Sequence, residues 1–286
     1  MAAQADIWKA DLGLGLSLVL LVASATIPTD ARADLMIELE PIDRQPTRLL
    51  VQPPRVRLEM ADQRYRLYDA ELDAMVSVFP EYGVFYEEDL AALERERAAF
   101  LKDLRQNREA IEERVARAPE GVRARWREMV AQWRLDEASD APGSPRAEID
   151  SIDERNAEEA RAGGFRCTVN RIELAGRDEQ MRACLADPED MGIDRSDLDT
   201  LAAMFDYLER QRMVAGPVPD DAPGLPPGLI AELIERTGQM VLGAARWKGE
   251  DEGTGWVVTA LWSARLEPSR FAVEDAYRHV QPPYGR

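Results

Sequence analysis

One histidine, two cysteines and three lysines in 286 residues leave little material for reactive chemistry. The single histidine, His279, stands near the end of the chain, so zinc sites and catalytic pairs built on several imidazoles have no residues to use. There is no GxSxG nucleophile elbow and no HExxH. The cysteines do not form a CxxC, which removes the common dithiol redox spacing. Basic charge is also short: 36 Lys and Arg face 54 Asp and Glu, for a net charge of −18. Such a chain repels phosphate backbones, which excludes nucleic acid as a partner class, and it disfavours docking on an anionic bilayer. The acidic excess itself promotes solubility. Glycine-rich phosphate loops are missing as well. Gly13 and Gly15 lie in an apolar run, and Gly249–Gly255 is acidic. No catalytic, cofactor-binding or metal residues are expected.

Only one long apolar run is present, Leu12 to Ile27, and it leads to Ala31-Arg32-Ala33 before Asp34. Small residues at −3 and −1 of a junction, after a run of this length, mark a secretory signal peptide cut after Ala33. The expected address is periplasmic. The alternative is an uncleaved N-terminal helix acting as an anchor, although a spanning helix needs about 20 apolar residues. No cysteine follows Ala33, so an acylated N-terminus is not expected.

Export changes how Cys167 and Cys184 are read, because an even count in an oxidising compartment suggests a disulfide. Ala175-Gly176 is a plausible two-residue hairpin turn. Counting outward, 174 faces 177, 173 faces 178, and 167 faces 184. The last is a non-hydrogen-bonded pair, where side chains lie closest across antiparallel strands.

Residues 34–286 are expected to form one domain. From Asp34 to Glu87 the apolar residues alternate: Leu35, Ile37, Leu39; Val56, Leu58, Met60; Val76, Val78; Val84, Tyr86. This pattern predicts an antiparallel meander of about five short strands, apolar on one face. The period then lengthens. Leu90, Leu93, Leu101, Leu104, Ile111 and Val115 recur at three- and four-residue steps, and Val122, Trp126, Met129, Val130 and Trp133 resume after Pro119-Glu120-Gly121. Two amphipathic helices with a short turn make an αα-hairpin insertion over 87–138. Residues 139–163, rich in Ala, Asp and Glu with Pro142-Gly143-Ser144-Pro145, read as a flexible linker.

Beyond the cysteine hairpin, Ser196 reads as an N-cap. Leu198, Leu201, Ala202, Phe205 and Leu208 then give a helix with one apolar face. Leu229–Glu235 reads as a short helix. Met240–Trp247 and Trp256–Leu266 read as a hairpin, and Phe271–Val280 closes the chain. Asp187–Gly192 resembles the start of a calcium loop, but Met191 and Leu198 occupy ligand positions, so a turn is expected. With 54 acidic residues, paired carboxylates carry no specificity for glycoside chemistry. Trp126 and Trp133 belong to a helical apolar face. Trp247, Trp256 and Trp262 lie on late strands, where an aromatic face packs a core or lines an apolar groove.

The stretches Pro54–Met60, Tyr65–Asp69, Met75–Phe79 and Tyr82–Tyr86 resemble the opening meander of a family of uncharacterised exported bacterial proteins. The fold of that family is similar to the half-barrel of the outer-membrane lipoprotein carriers. Ala118–Gly121 with Arg127–Met129 resembles a helix pair that some members carry. Gly164, Cys167, Cys184–Pro188 and Met191-Gly192 resemble the family's middle hairpin, and Leu266–Pro268, Phe271 and Tyr277 its closing strand. The resemblance implies an α+β fold: a curved antiparallel sheet with the αα-hairpin and a further helix packed on it. By fold analogy it implies a groove for a lipid, an acylated protein or another amphiphile, with no enzymatic activity. The second expectation is an envelope structural or protein-interaction role through the helical hairpin 87–138. No groove residues are assigned.

Overall fold

A computed structural model describes residues 34–41, 47–60, 62–120, 123, 148–175, 180–215, 226–247 and 255–281. Six strands open the described chain: β1 (Asp34–Pro41), β2 (Thr47–Gln52), β3 (Arg55–Glu59), β4 (Tyr65–Asp69), β5 (Ala74–Phe79) and β6 (Val84–Glu88). Helices α1 (Leu90–Gln106) and α2 (Arg108–Arg117) follow. Then come β7 (Ile149–Ala162), β8 (Phe165–Leu174), β9 (Gln180–Ala186), α3 (Arg195–Ala215), α4 (Pro227–Thr237), β10 (Met240–Trp247), β11 (Gly255–Ala264) and β12 (Arg278–His279).

All twelve strands form one curved, unclosed sheet in the order β12-β6-β5-β4-β3-β2-β1-β11-β10-β9-β8-β7. Every pairing is antiparallel except β12 on β6. This is the α+β half-barrel with helices that the sequence implies. The first strand sits mid-sheet, between β2 and β11, with Asp34 opposite Ala264 and Ile37 opposite Leu261. Its two edges are unlike. One is the two-residue β12. The other is β7, whose exposed residues are largely charged and whose pairing with β8 is interrupted between Asp153 and Glu158. Both features discourage pairing with a foreign strand.

The meander has six strands, and it is apolar on both faces. Leu35, Ile37, Leu49, Val51, Val56, Tyr68 and Met75 join Leu198, Leu201, Met204 and Tyr207 of α3 and Leu229, Ile230, Leu233 and Ile234 of α4 in one core. Val76 and Val78 point the other way, against Tyr65 and Leu67. There the segment after β11 crosses the sheet. Leu266 and Phe271 pack on Leu50, and Val273 and Tyr277 on the Tyr65 group. The Asp34 carboxylate accepts the Leu266 N–H at 2.6 Å, and Arg57 donates to the Arg270 carbonyl at 2.9 Å. The sequence rule of one dry face fails here because the chain's own C-terminal segment dries the second.

Other expectations are corrected in detail. The linker expected over 139–163 contains the fourteen-residue β7, nine of whose residues pair with β8; residues 139–147 lie outside the described part. The cysteine hairpin forms, but its register differs. Val169 faces Cys184 and Glu173 faces Gln180, a register two residues away from the one a turn at Ala175-Gly176 would set. Cys167 lies two residues from Val169 on the same face, and the disulfide spans the diagonal, with Cα atoms 5.4 Å apart. Helix α3 begins one residue before Ser196. Asp194 supplies the first carbonyl, and the Asp197 carboxylate reaches back to accept the Asp194 N–H at 3.0 Å, the N3 half of a capping box. The Ser196 hydroxyl is buried without a partner.

The first helix of the expected hairpin is interrupted at Asn107, giving α1 and α2. Its start is fixed by Asp89, whose carboxylate accepts the Ala92 N–H at 2.9 Å. Of the second helix, Val122–Trp133, only Arg123 is described, its N–H donating to the Pro119 carbonyl at 2.9 Å; the signal segment 1–33 lies outside the described residues. Among the described residues no helix is long and apolar enough to cross a membrane.

Candidate functional site

Apolar side chains from five elements converge between the sheet and the helix pair. Ile37 and Leu39 come from β1, Leu49 from β2, Leu201 and Phe205 from α3, Ile230 and Ile234 from α4, and Met240 and Val241 from β10. They leave a cavity of about 10 Å³, room for about one water molecule. Each helix contributes by its spacing. Leu201 and Phe205 are four apart, as are Ile230 and Ile234, so each pair lies on one face.

Helix α4 is held close to α3. Pro227 occupies its first turn, where a missing N–H costs nothing. The next N–H, of Gly228, points at the Glu209 carboxylate at 3.4 Å. Glu209 is fully buried and also paired with Arg212. The approach needs glycine: a Cβ at 228 would stand 2.6 Å from the Glu209 Cγ. Gly228→Ala is therefore expected to lower stability by about 1–3 kcal/mol, as other overpacked substitutions do. Thermal unfolding checks it, and an unchanged midpoint would mean that α4 docks differently in solution.

Beside the apolar seam lies a polar cluster on β4, β5 and β6. The Glu88 carboxylate, buried, accepts from the Arg66 Nε at 3.0 Å and also from Arg66 Nη2, the Ser77 hydroxyl and the Gln211 amide. Its backbone carbonyl accepts the Tyr207 hydroxyl at 2.7 Å. Burial, together with the negative Glu88 nearby, pushes the Tyr207 phenol up to about 12, so it remains a donor at physiological pH.

One turn along, Arg210 clasps Asp73 in the β4–β5 turn at 2.9 Å and 2.5 Å. The Arg210 hydrogen bond holds the Asp73 carboxyl below its ordinary value. A folded pKa below the unfolded value, about 3.9, stabilises the fold above that pH. The contribution disappears as pH falls through the lower, folded value. The Asp73 side chain is 51% exposed, so the effect is at most about 1 kcal/mol. Asp73→Asn should flatten the acid limb of stability below about pH 4 and little else. Urea midpoints across pH read this out, and an unaltered acid limb would show the clasp open in solution.

The residues singled out in the sequence fall mostly elsewhere. Trp262 pairs with Met36 on the face away from the helices and is 38% exposed. Trp256 faces Ala244 and Trp247 faces Gln180; Trp126 and Trp133 lie outside the described residues. His279 rests against the Phe85 ring, 5.1 Å between centroids. Asp187–Gly192 is the expected turn, with the Asp187 carboxylate accepting the Glu189 N–H at 2.9 Å. Among the described residues, no three His, Cys, Asp or Glu side chains are grouped to hold a metal. Neither the seam nor the Glu88 cluster was named from the sequence, because each draws residues far apart in the chain. The alternation of Ile37 and Leu39 and the helical spacing of Leu201 and Phe205 marked apolar faces, but nothing in the sequence said that they meet. No protein-family model matches the sequence, and no curated protein matches it.

Proposed function

We propose that this is a non-enzymatic, exported protein that takes up the acyl chain of a lipid, an acylated protein or a similar amphiphile between the sheet and helices α3 and α4. The observation that supports it is the seam itself, a junction of five elements whose lining is wholly apolar. Established ligand pockets run to about 300–1,000 Å³, so the seam as it stands is filled by the protein's own side chains. Uptake requires a helix to move. The hydrocarbon offsets that cost, at about 0.8 kcal/mol per methylene buried. The signal-like N-terminus and the disulfide support an oxidising, exported setting.

Native mass spectrometry of the protein recovered after export tests this reading, with extraction of anything carried along and a palmitate uptake assay. A bound acyl species is expected, and Ile230→Trp, which fills the seam, should lose it while keeping a cooperative melt. An empty protein that also takes up no palmitate or phospholipid would overturn acyl binding. The small seam favours one other reading in that event, an envelope interaction role for the helical insertion 87–138. Helix α1 and α2 present exposed Glu94, Arg95, Lys102, Glu113, Arg114 and Arg117 there.

A further inference from the structure

Helices α3 and α4 cover the seam together, but they are fastened differently. Helix α3 is bound to the sheet through its C-terminal half. Tyr207 bonds the Glu88 carbonyl, Arg210 bonds Asp73, and Gln211 bonds both Glu88 and Arg66. Most of these are charge-assisted, and the Glu88 carboxylate among them is buried, where such bonds are strongest.

Helix α4 is held by apolar packing of the buried Leu229, Ile230, Leu233 and Ile234, of which Ile230 and Ile234 line the seam. Among the described residues, two hydrogen bonds tie α4 to other elements, and the Gln239 N–H donates to the Thr237 hydroxyl at 3.1 Å across its C-terminal end. The Gly228 N–H reaches Glu209 at 3.4 Å and the Ile149 N–H reaches Glu232 at 3.2 Å. Both are long for bonds to a carboxylate. The helix ends on Gly238, at φ +67°, whose N–H closes on the Ile234 carbonyl at 2.8 Å. Only Gln239 then separates it from β10.

We propose that α4 is a flap over the seam, hinged at Gly238, and that α3 is the fixed frame against which it closes. The purpose of the flap rests on the acyl-uptake reading; its existence does not. A swing of α4 uncovers Ile230 and Ile234 together with Leu201 and Phe205 opposite them. An apolar trough opens while the Glu88 and Asp73 attachments stay closed. Glycine suits the pivot, since it tolerates left-handed and neighbouring backbone angles that a side chain would forbid.

Native-state hydrogen exchange on the full chain, without ligand and in low denaturant, tests the flap. The α4 amides are expected to exchange through an opening that leaves 205–215 and the sheet protected. Glu232→Gln should speed α4 exchange about tenfold, the size of a bond to a charged group, with residues 207–215 unchanged. Joint exchange of α3 and α4 with one denaturant dependence would overturn the proposal, and the wild-type hierarchy alone decides it if the variant does not fold. Palmitate added to the same experiment separates the two ideas. Slowed α4 exchange supports both. A flap indifferent to palmitate stands without the acyl reading.

Discussion

Glu88→Ala is expected to remove about 3–5 kcal/mol of stability, the usual result of stripping one partner from a buried ion pair. The Glu88 side chain is 2% exposed and that of Arg66 18%. Alanine leaves the guanidinium largely out of water without its acid, and leaves the Ser77 hydroxyl and the Gln211 amide without their shared acceptor. The loss extends to α3, whose C-terminal half is attached here. Urea unfolding measures it, and the midpoint should move without a change in slope if the unfolded state is unaffected. Replacing the pair together, Arg66→Met with Glu88→Leu, should cost far less, since neither charge is then left buried alone. A loss below about 1 kcal/mol for alanine, the scale of exposed pairs, would show that the cluster is hydrated in solution and that α3 is held by apolar packing alone.

Removing the Cys167–Cys184 disulfide carries the other large effect. The cysteines are 17 residues apart in sequence, and a loop of that order stabilises by about 3 kcal/mol, chiefly by restricting the unfolded chain. For a chain of this size that corresponds to about 6–12 °C in melting temperature. Both side chains are buried, so the paired change Cys167→Ala with Cys184→Ala keeps the site apolar and isolates the cross-link. Melts with and without reductant provide the same comparison on the natural sequence. Identical midpoints would show that the bond is not formed in the protein tested.

What could be read in advance depended on how local each signal was. Strands β1, β3, β5 and β6 carry period-two alternation, and helix α3 carries Leu198, Leu201, Ala202 and Phe205 at helical spacing, so these were legible; β2, with Leu49, Leu50 and Val51 in a row, was not. Strand β7 was not. Its sequence holds Asp150, Asp153, Glu154, Glu158 and Glu159, residues poor in intrinsic strand preference, and pairing with β8 overrides that preference. The disulfide was legible from the even cysteine count under the expectation of export. Its register was not, because a turn at Ala175-Gly176 and the observed pairing differ by a two-residue shift that no neighbouring residue reports. The half-barrel implied by the resemblance is present. The seam was out of reach, since Ile37, Leu201, Ile234 and Val241 share no local pattern.

The position of β1 also bears on how the chain reaches this state. Its neighbour on one side is β2, which follows it directly in sequence order. On the other it is β11, which is made more than 200 residues later. The sheet therefore cannot be completed until β11 has been synthesised. The face carrying Tyr65, Leu67 and Val78 also waits for Val273 and Tyr277 to cover it. Contacts this distant along the chain slow folding and prolong the life of sticky, half-built states. A molecule with such an architecture gains most from a holding chaperone that guards its N-terminal third until the last strands arrive.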